Sequence, residues 1–306
     1  ASVPLPQDDV YFTSNSMGGN SKTVTVDMQR IGRNIDWTGT TGTSNIFTMR
    51  NGLNQEFYGN WTLGGTIATN STSGSGTLTA CGRSSHTITS NGQTYYGPWE
   101  ILAPGGTYTL QDGLITILSQ VRQMTFTRGT FNANGFNMSH GLYSIVSTFT
   151  SLVMGSGTWT INRVLAASSW SQGASAGVIS CGTSTIKYAN QATGTQTFAG
   201  GGSTYYILDS TVAGTTGALN ITGSNTFNTI QFSDASNART LRFTAGTTTT
   251  VTNWTVNGTA GKLMTISSIT AATHTLTKPS GTVSSNYLSL TNSIATGGAA
   301  WYAGAN

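Results

Sequence analysis

Short segments that alternate hydroxyl-bearing and apolar residues, separated by turns rich in Gly, Asn and Ser, run the length of this chain. Lys22–Asp27 (Lys-Thr-Val-Thr-Val-Asp), His86–Thr89, Thr107–Leu110, Leu219–Thr222, Thr240–Thr244 and Thr273–Thr277 all follow this rule. A period of two is the mark of a β-strand with one buried face. The intervening pairs Asn51-Gly52, Asn91-Gly92, Asn134-Gly135 and Asn257-Gly258 favour positive φ and so predict tight turns. Residues Asp112–Gln123 come nearest to a helical spacing, but Gly113 and the β-branched run Ile115-Thr116-Ile117 weaken it. The fold class is therefore all-β.

Many short strands with regular turns suit a sandwich, a barrel or a solenoid. Internal repetition separates them. Trp61-Thr62, Cys81-Gly82 and Gly92-Gln93-Thr94-Tyr95-Tyr96 are echoed in order by Trp159-Thr160, Cys181-Gly182 and Gly202-Ser203-Thr204-Tyr205-Tyr206. Further on, the segment around Phe126 is echoed around Phe243, and the offset grows from 98 residues (Trp61 to Trp159) to 117 (Phe126 to Phe243). This reads as an internal duplication, about 50–150 and 151–260, within one elongated domain covering 1–306.

The polar positions decide between the architectures. The chain carries 13 Lys/Arg and 9 Asp/Glu, only 7% charged, where a soluble domain has about 25%. Thr and Ser can stack as hydroxyl ladders from coil to coil, whereas like charges stacked in register repel. A β-solenoid is the expected result, with about a dozen coils at roughly 20–25 residues each. Cys81 and Cys181 would lie four or five coils apart, roughly 20 Å at ~4.8 Å per strand. That exceeds the ~7 Å limit between the Cα atoms of a disulfide, so two free thiols serving as small core residues are expected.

The same composition excludes several classes of function. The basic residues are scattered from Lys22 to Lys278, with no stripe to displace counterions from adjacent phosphates, so no nucleic acid is expected as a partner. No run approaches the ~20 apolar residues of a membrane span, and no membrane insertion is expected. Nor is there a basic segment followed by an apolar one at the start, as a signal peptide requires. The chain opens at Ala1 without a methionine, which suggests a processed product.

Several segments also resemble a known kind of protein. Ala1-Ser-Val-Pro, Asp8-Asp9-Val10-Tyr11-Phe12, Ile35-Asp36-Trp37-Thr38-Gly39, Gly129-Thr130-Phe131-Asn132-Ala133-Asn134-Gly135 and the closing Trp301-Tyr302-Ala303-Gly304 are similar to Gly/Thr-rich β-helix regions of phage tail-fibre-like and bacterial surface proteins. That resemblance covers nearly the whole chain. It implies a right-handed parallel β-helix in a virion fibre, extracellular appendage or adhesin, and it brings no catalytic motif. It also implies that both ends are truncated, so an attachment or assembly region would be missing.

Candidate sites are sparse. Asp8-Asp9 is the sole carboxylate doublet. Calcium needs six to eight oxygens, so a turn and cap is the better reading, and no metal or cofactor site is expected. A glycosidase needs two carboxylates ~5–10 Å apart. On a solenoid, Asp36 with Glu56 fits one coil's spacing and Asp209 with Asp234 fits loosely, but nine acids produce such matches by accident. His86, His140 and His274 lie in Ser/Thr-rich contexts and read as polar strand or turn residues. Tyr95, Tyr96, Trp99, Tyr205 and Tyr206 could stack on sugars or meet another subunit, with core packing as the competing use of aromatic rings. The expected protein is a structural or adhesive module outside the cell, on a virion surface for instance, and not an enzyme. It would self-associate as a homotrimer or filament and touch host glycans. A β-helical lyase or hydrolase that degrades surface polysaccharide is the alternative.

Overall fold

The computed structural model describes residues 4–49, 52–64, 67–70, 76–116, 122–173 and 177–305. The described chain is a parallel β-solenoid of about 12 turns with almost no helix. Among the described residues the one helical segment is the single turn Ser14–Met17. Residues 117–121, part of the stretch with weak helical spacing, lie outside the described residues, and Leu114–Thr116 is a strand.

Each coil contributes strands to up to three faces. Face 1 begins at Arg30–Gly32 and ends at Leu288–Leu290. Face 2 begins at Val10–Thr13 and ends at Val178–Ser180. Face 3 runs from Thr94–Tyr95 to Ser293–Thr296. A three-stranded sheet (Thr23–Val26, Asn45–Met49, Ile67–Asn70) lies in the first coils, and a two-stranded one (Thr282–Ser285, Ala300–Ala303) in the last. Every strand pairing between coils is parallel. The step between paired residues ranges from 18 (Val283 to Trp301) to 29 (Ala167 to Gln196), a wider spread than the spacing of strands in the sequence suggests.

In-register stacking turns each position of the cross-section into a column. Thr204, Thr226, Thr250, Thr277 and Thr296 form one such column on face 3. The last two hydroxyls lie 2.7 Å apart. This is the hydroxyl ladder expected from the composition. Asn side chains act similarly at a corner: Asn34 Oδ1 accepts the Asn60 N–H (2.7 Å) and Asn60 Oδ1 accepts the Thr87 N–H (2.9 Å). Each amide thus satisfies a backbone group of the following coil.

The inward columns are apolar. Leu78, Trp99, Met124, Tyr143, Trp170, Phe198, Ile221 and Phe243 follow one another along face 1. Trp159 projects inward from face 3 and packs against Phe126, Phe131, Tyr143 and Trp170, with centroids 5.3–6.4 Å apart. One buried cluster extends from Met17 to Leu276. Edge-to-face and tilted pairs dominate it, the geometry that the ring quadrupole favours.

The turn residues fill their expected roles at two of the four Asn-Gly sites. Asn91-Gly92 and Asn134-Gly135 both have positive φ at each residue, as a type I′ turn requires. They turn the chain between faces and form no hairpins. Gly129 (φ +94°) stands where Gln123–Asn132 bends from face 1 to face 2; a Cβ there would come 2.1 Å from the Ala103 carbonyl of the preceding coil. Gly258 has no positive φ, and its small size instead admits the carbonyls of Tyr287 and Lys262. Asn51 lies outside the described residues.

The echoed motifs do not all occupy equivalent positions. Tyr95 and Tyr205 both lie on face 3, and Phe126 and Phe243 both on face 1. Trp61, however, is on face 2 and Trp159 on face 3. The cysteines are free, and four pairing steps separate their coils (Thr87, Thr109, Asn132, Val153, Ser180). Both are half-buried rather than core residues, because each directly follows a strand and stands at a corner.

Trp159→Ala should cost about 3–5 kcal/mol, the price of emptying a large buried aromatic site. Tyr302→Ala, on an exposed ring, should stay within about 0.5 kcal/mol of the parent. Urea denaturation of the three proteins measures both, and equal midpoints for parent and Trp159→Ala would contradict this core.

Candidate functional site

Face 1 carries one outward column that differs from the hydroxyl ladders. It reads Arg30, Glu56, Thr79, Glu100, Thr125, Ser144 and Ser171 on successive coils. Glu56 and Glu100 are therefore two rungs apart, about 10 Å at ~4.8 Å per rung. Glu56 Oε1 accepts from Gln29 Nε2–H (2.7 Å), and the Tyr58 hydroxyl donates to Oε2. Glu100 accepts from Thr127 Oγ1–H (2.6 Å) and, weakly, from Thr79 Oγ1–H (3.4 Å). Beside this column lies an open groove of about 640 Å³, lined by Glu56, Tyr58, Cys81, Arg83, Thr127 and Arg128 among others.

The groove combines the oriented Glu56 carboxylate with two guanidinium groups, those of Arg83 and Arg128. Such a surface can hold a polar chain that bears hydroxyls and acidic groups. The Cys81 thiol is no nucleophile here: burial, reinforced by Glu56 and Glu100, pushes its pKa up to about 12, and only the thiolate attacks. Burial and the hydrogen bond to Glu56 likewise push Tyr58 up to about 12.

The carboxylates singled out from the sequence are placed otherwise. Asp36 is on face 2, where its Oδ1 accepts the Thr38 N–H and hydroxyl (2.8 and 2.7 Å), and it does not join Glu56 on face 1. Asp209 accepts from the Thr211 N–H and hydroxyl and lies 3.9 Å from Lys187. Asp234 is buried and accepts four backbone N–H groups, from Gly214, Thr215, Ser236 and Asn237 (2.7–3.1 Å). Burial raises its pKa, yet those four donors outweigh it and hold the carboxylate below its usual range. Asp234 thus organises a turn. Asp8 Oδ2 accepts the Leu5 N–H (2.8 Å), and Asp9 forms a two-pronged ion pair with Arg33 (2.7 and 2.8 Å), which joins two coils. The doublet is a turn and a cross-link, in line with the cap read from the sequence.

The aromatic candidates divide. Tyr95, Trp99 and Tyr205 are fully buried in the core and have no ring face to offer a glycan or a subunit. Tyr95 and Trp99 pack edge to face at 5.1 Å, and the Tyr205 hydroxyl donates to Gln172 Oε1 (2.6 Å). Tyr96 and Tyr206 are half-buried. Successive strand residues face opposite ways, so in each Tyr-Tyr pair one ring enters the core and the other does not. Among the histidines, His140 is a core residue rather than a polar strand or turn residue. It is fully buried beside Tyr143, and neither ring nitrogen has a hydrogen-bond partner. His274 stacks on Phe243 (4.8 Å) with Nδ1 2.9 Å from the Ser268 hydroxyl, and His86 Nε2 lies 3.0 Å from Ser84 Oγ. Among the described residues no three His, Cys, Asp or Glu side chains gather as a metal site would require.

No protein-family model matches the chain, no curated protein matches it, and no solved structure matches it.

Burial lowers the His140 pKa to about 3. The unfolded chain takes up this proton below about 6.5, whereas the folded protein does not until about pH 3. Stability should therefore be greatest above pH 6.5 and decline as pH falls through that window, by up to ~1.4 kcal/mol per unit for this one group. His140→Phe should flatten the slope between pH 6.5 and 4 in denaturant titrations. An unchanged slope would show that His140 is protonated in the fold.

Proposed function

We propose that this chain is a structural and adhesive rod, a fibre or surface module of a virion or other extracellular appendage. It works by self-assembly and by contact with surfaces or glycans. The observation that carries this reading is the set of neutral hydroxyl columns on the flanks of the stacked coils, such as Thr204, Thr226, Thr250, Thr277 and Thr296. They leave the flanks free of like-charge repulsion between adjacent rods. The resemblance of the sequence to β-helix regions of phage tail-fibre-like and bacterial surface proteins agrees with it. A homotrimer would join rods side by side and a filament end to end.

Electron microscopy with light scattering tests this. The parent protein is expected as filaments or as a fixed trimer of rods. Single rods of the parent at every concentration would overturn self-assembly.

One observation favours a second reading, a polysaccharide-degrading hydrolase. Inverting glycosidases hold two carboxyl groups ~6.5–9.5 Å apart, and Glu56 and Glu100 stand near that spacing beside an open groove. On this reading the chain releases reducing sugars from a capsular or exopolysaccharide. Glu56→Gln and Glu100→Gln would each lower that release by at least about 100-fold. Binding of the panel without release would support adhesion alone.

A further inference from the structure

On face 3, Ile161 pairs with Tyr188 and, in the two coils that follow, Ser210 pairs with Phe232. At the corner beside them lies a small cavity of about 10 Å³, room for one water-sized particle. Arg163, Tyr188, Asn190, Gln196, Thr215 and Arg239 supply its polar lining.

Arg239 is only 5% exposed. Its guanidinium lies over the Phe232 ring, 4.4 Å from the centroid, and donates to the Ser210 carbonyl (2.8 Å) and hydroxyl (2.9 Å). All three of these neighbours are neutral. Asp234 acts on it through space, but that carboxylate is already engaged by four backbone N–H groups. Among the described residues the ion pairs are Arg33–Asp9 and Lys187–Asp209, so Arg239 has no carboxylate within 4 Å. An unpaired buried cation is costly.

The groups left over at this cavity share one property. Arg239 Nε, Arg163 Nε and the buried Tyr188 hydroxyl have no partner, and each carries a hydrogen to donate. The other lining side chains are committed: Gln196 donates to the Leu165 carbonyl and accepts from Ser169, Asn190 donates to the Asn162 carbonyl, and Thr215 donates to the Val212 carbonyl (3.1 Å). A water placed among three donors would be one acceptor short. A monatomic anion accepts all three and neutralises the buried charge.

We propose that this cavity is a binding site for a small monovalent anion of the halide class, held by Arg163, Tyr188 and Arg239. The space rejects sulfate, phosphate and carboxylates. Arg163 is half-exposed and can yield by the few tenths of an ångström that separate chloride from water in size. An ion here would tie together the coils that carry Arg163, Tyr188 and Arg239, in a fold whose stability rests on such nearest-neighbour links.

The test is denaturation of the whole protein in sodium chloride, sodium bromide and sodium gluconate at equal ionic strength. The midpoint should rise with the logarithm of chloride or bromide concentration and not with gluconate. Tyr188→Phe keeps the ring, and Arg163→Gln alters a half-exposed side chain. Each should weaken the apparent halide affinity by at least about tenfold, the worth of one hydrogen bond to a charged group. Crystals soaked in bromide should show an anomalous peak within hydrogen-bonding distance of Arg239 Nε and the Tyr188 hydroxyl. Equal midpoints in all three salts, or a water at that position, would overturn the site. A halide effect that persists undiminished in both variants would place the ion elsewhere and overturn it too.

Discussion

Everything in this molecule depends on coils that pair in parallel and in register, about 4.8 Å apart. Each side chain then has a neighbour directly above and below, and a residue must tolerate what its column holds. Threonine tolerates itself, as the five-rung column from Thr204 to Thr296 illustrates. Charges do not, and the few present are arranged accordingly. Lys187 stacks on Asp209 and Asp9 pairs with Arg33, while Thr79 separates Glu56 from Glu100. The 7% charge content is thus a consequence of the architecture.

Inside, the same rule builds the core. Columns such as Trp99, Met124, Tyr143, Trp170 and Phe198 bring large rings into contact across successive coils. No coil buries these rings by itself, since each uses its neighbours as the wall. Stability is therefore a sum of interfaces, and an interior coil such as that of Trp159 rests on two of them.

Fold class was legible because it is written in local features: alternation, hydroxyl content and positive-φ turns at Asn91-Gly92 and Asn134-Gly135. Parity was not. A shift of one residue exchanges the two faces of a strand, and the Thr-Tyr-Tyr motifs carry no mark of which ring points inward. Tyr95 and Tyr205 face the core, while Tyr96 and Tyr206 do not. Neighbourhood between coils was lost through variable coil length. A fixed step of 20–25 residues pairs Asp36 with Glu56, but corners absorb different numbers of residues, and the true column partner of Glu56 among the acids is Glu100. His140 gave no signal of burial, because Met138-Ser139-His140 alternates no differently from an exposed strand.

Variation has most freedom at corners, where the ladder imposes no identity from coil to coil. The groove of Glu56, Arg83 and Arg128 opens beside the bend between faces 1 and 2. The cavity of Arg163, Tyr188 and Arg239 sits where coils of unequal length pass face 3, and the 29-residue step from Ala167 to Gln196 is the longest of the paired steps. A charge introduced on a face repeats its electrostatic cost against both adjacent rungs. At a corner it can turn toward a neutral ring, a carbonyl or a loop, as Arg239 does over Phe232. Corners therefore leave the most room for chemistry beyond stacking, while on the faces a charge survives only where its column supplies a neutral or opposite neighbour, as Thr79 does between Glu56 and Glu100.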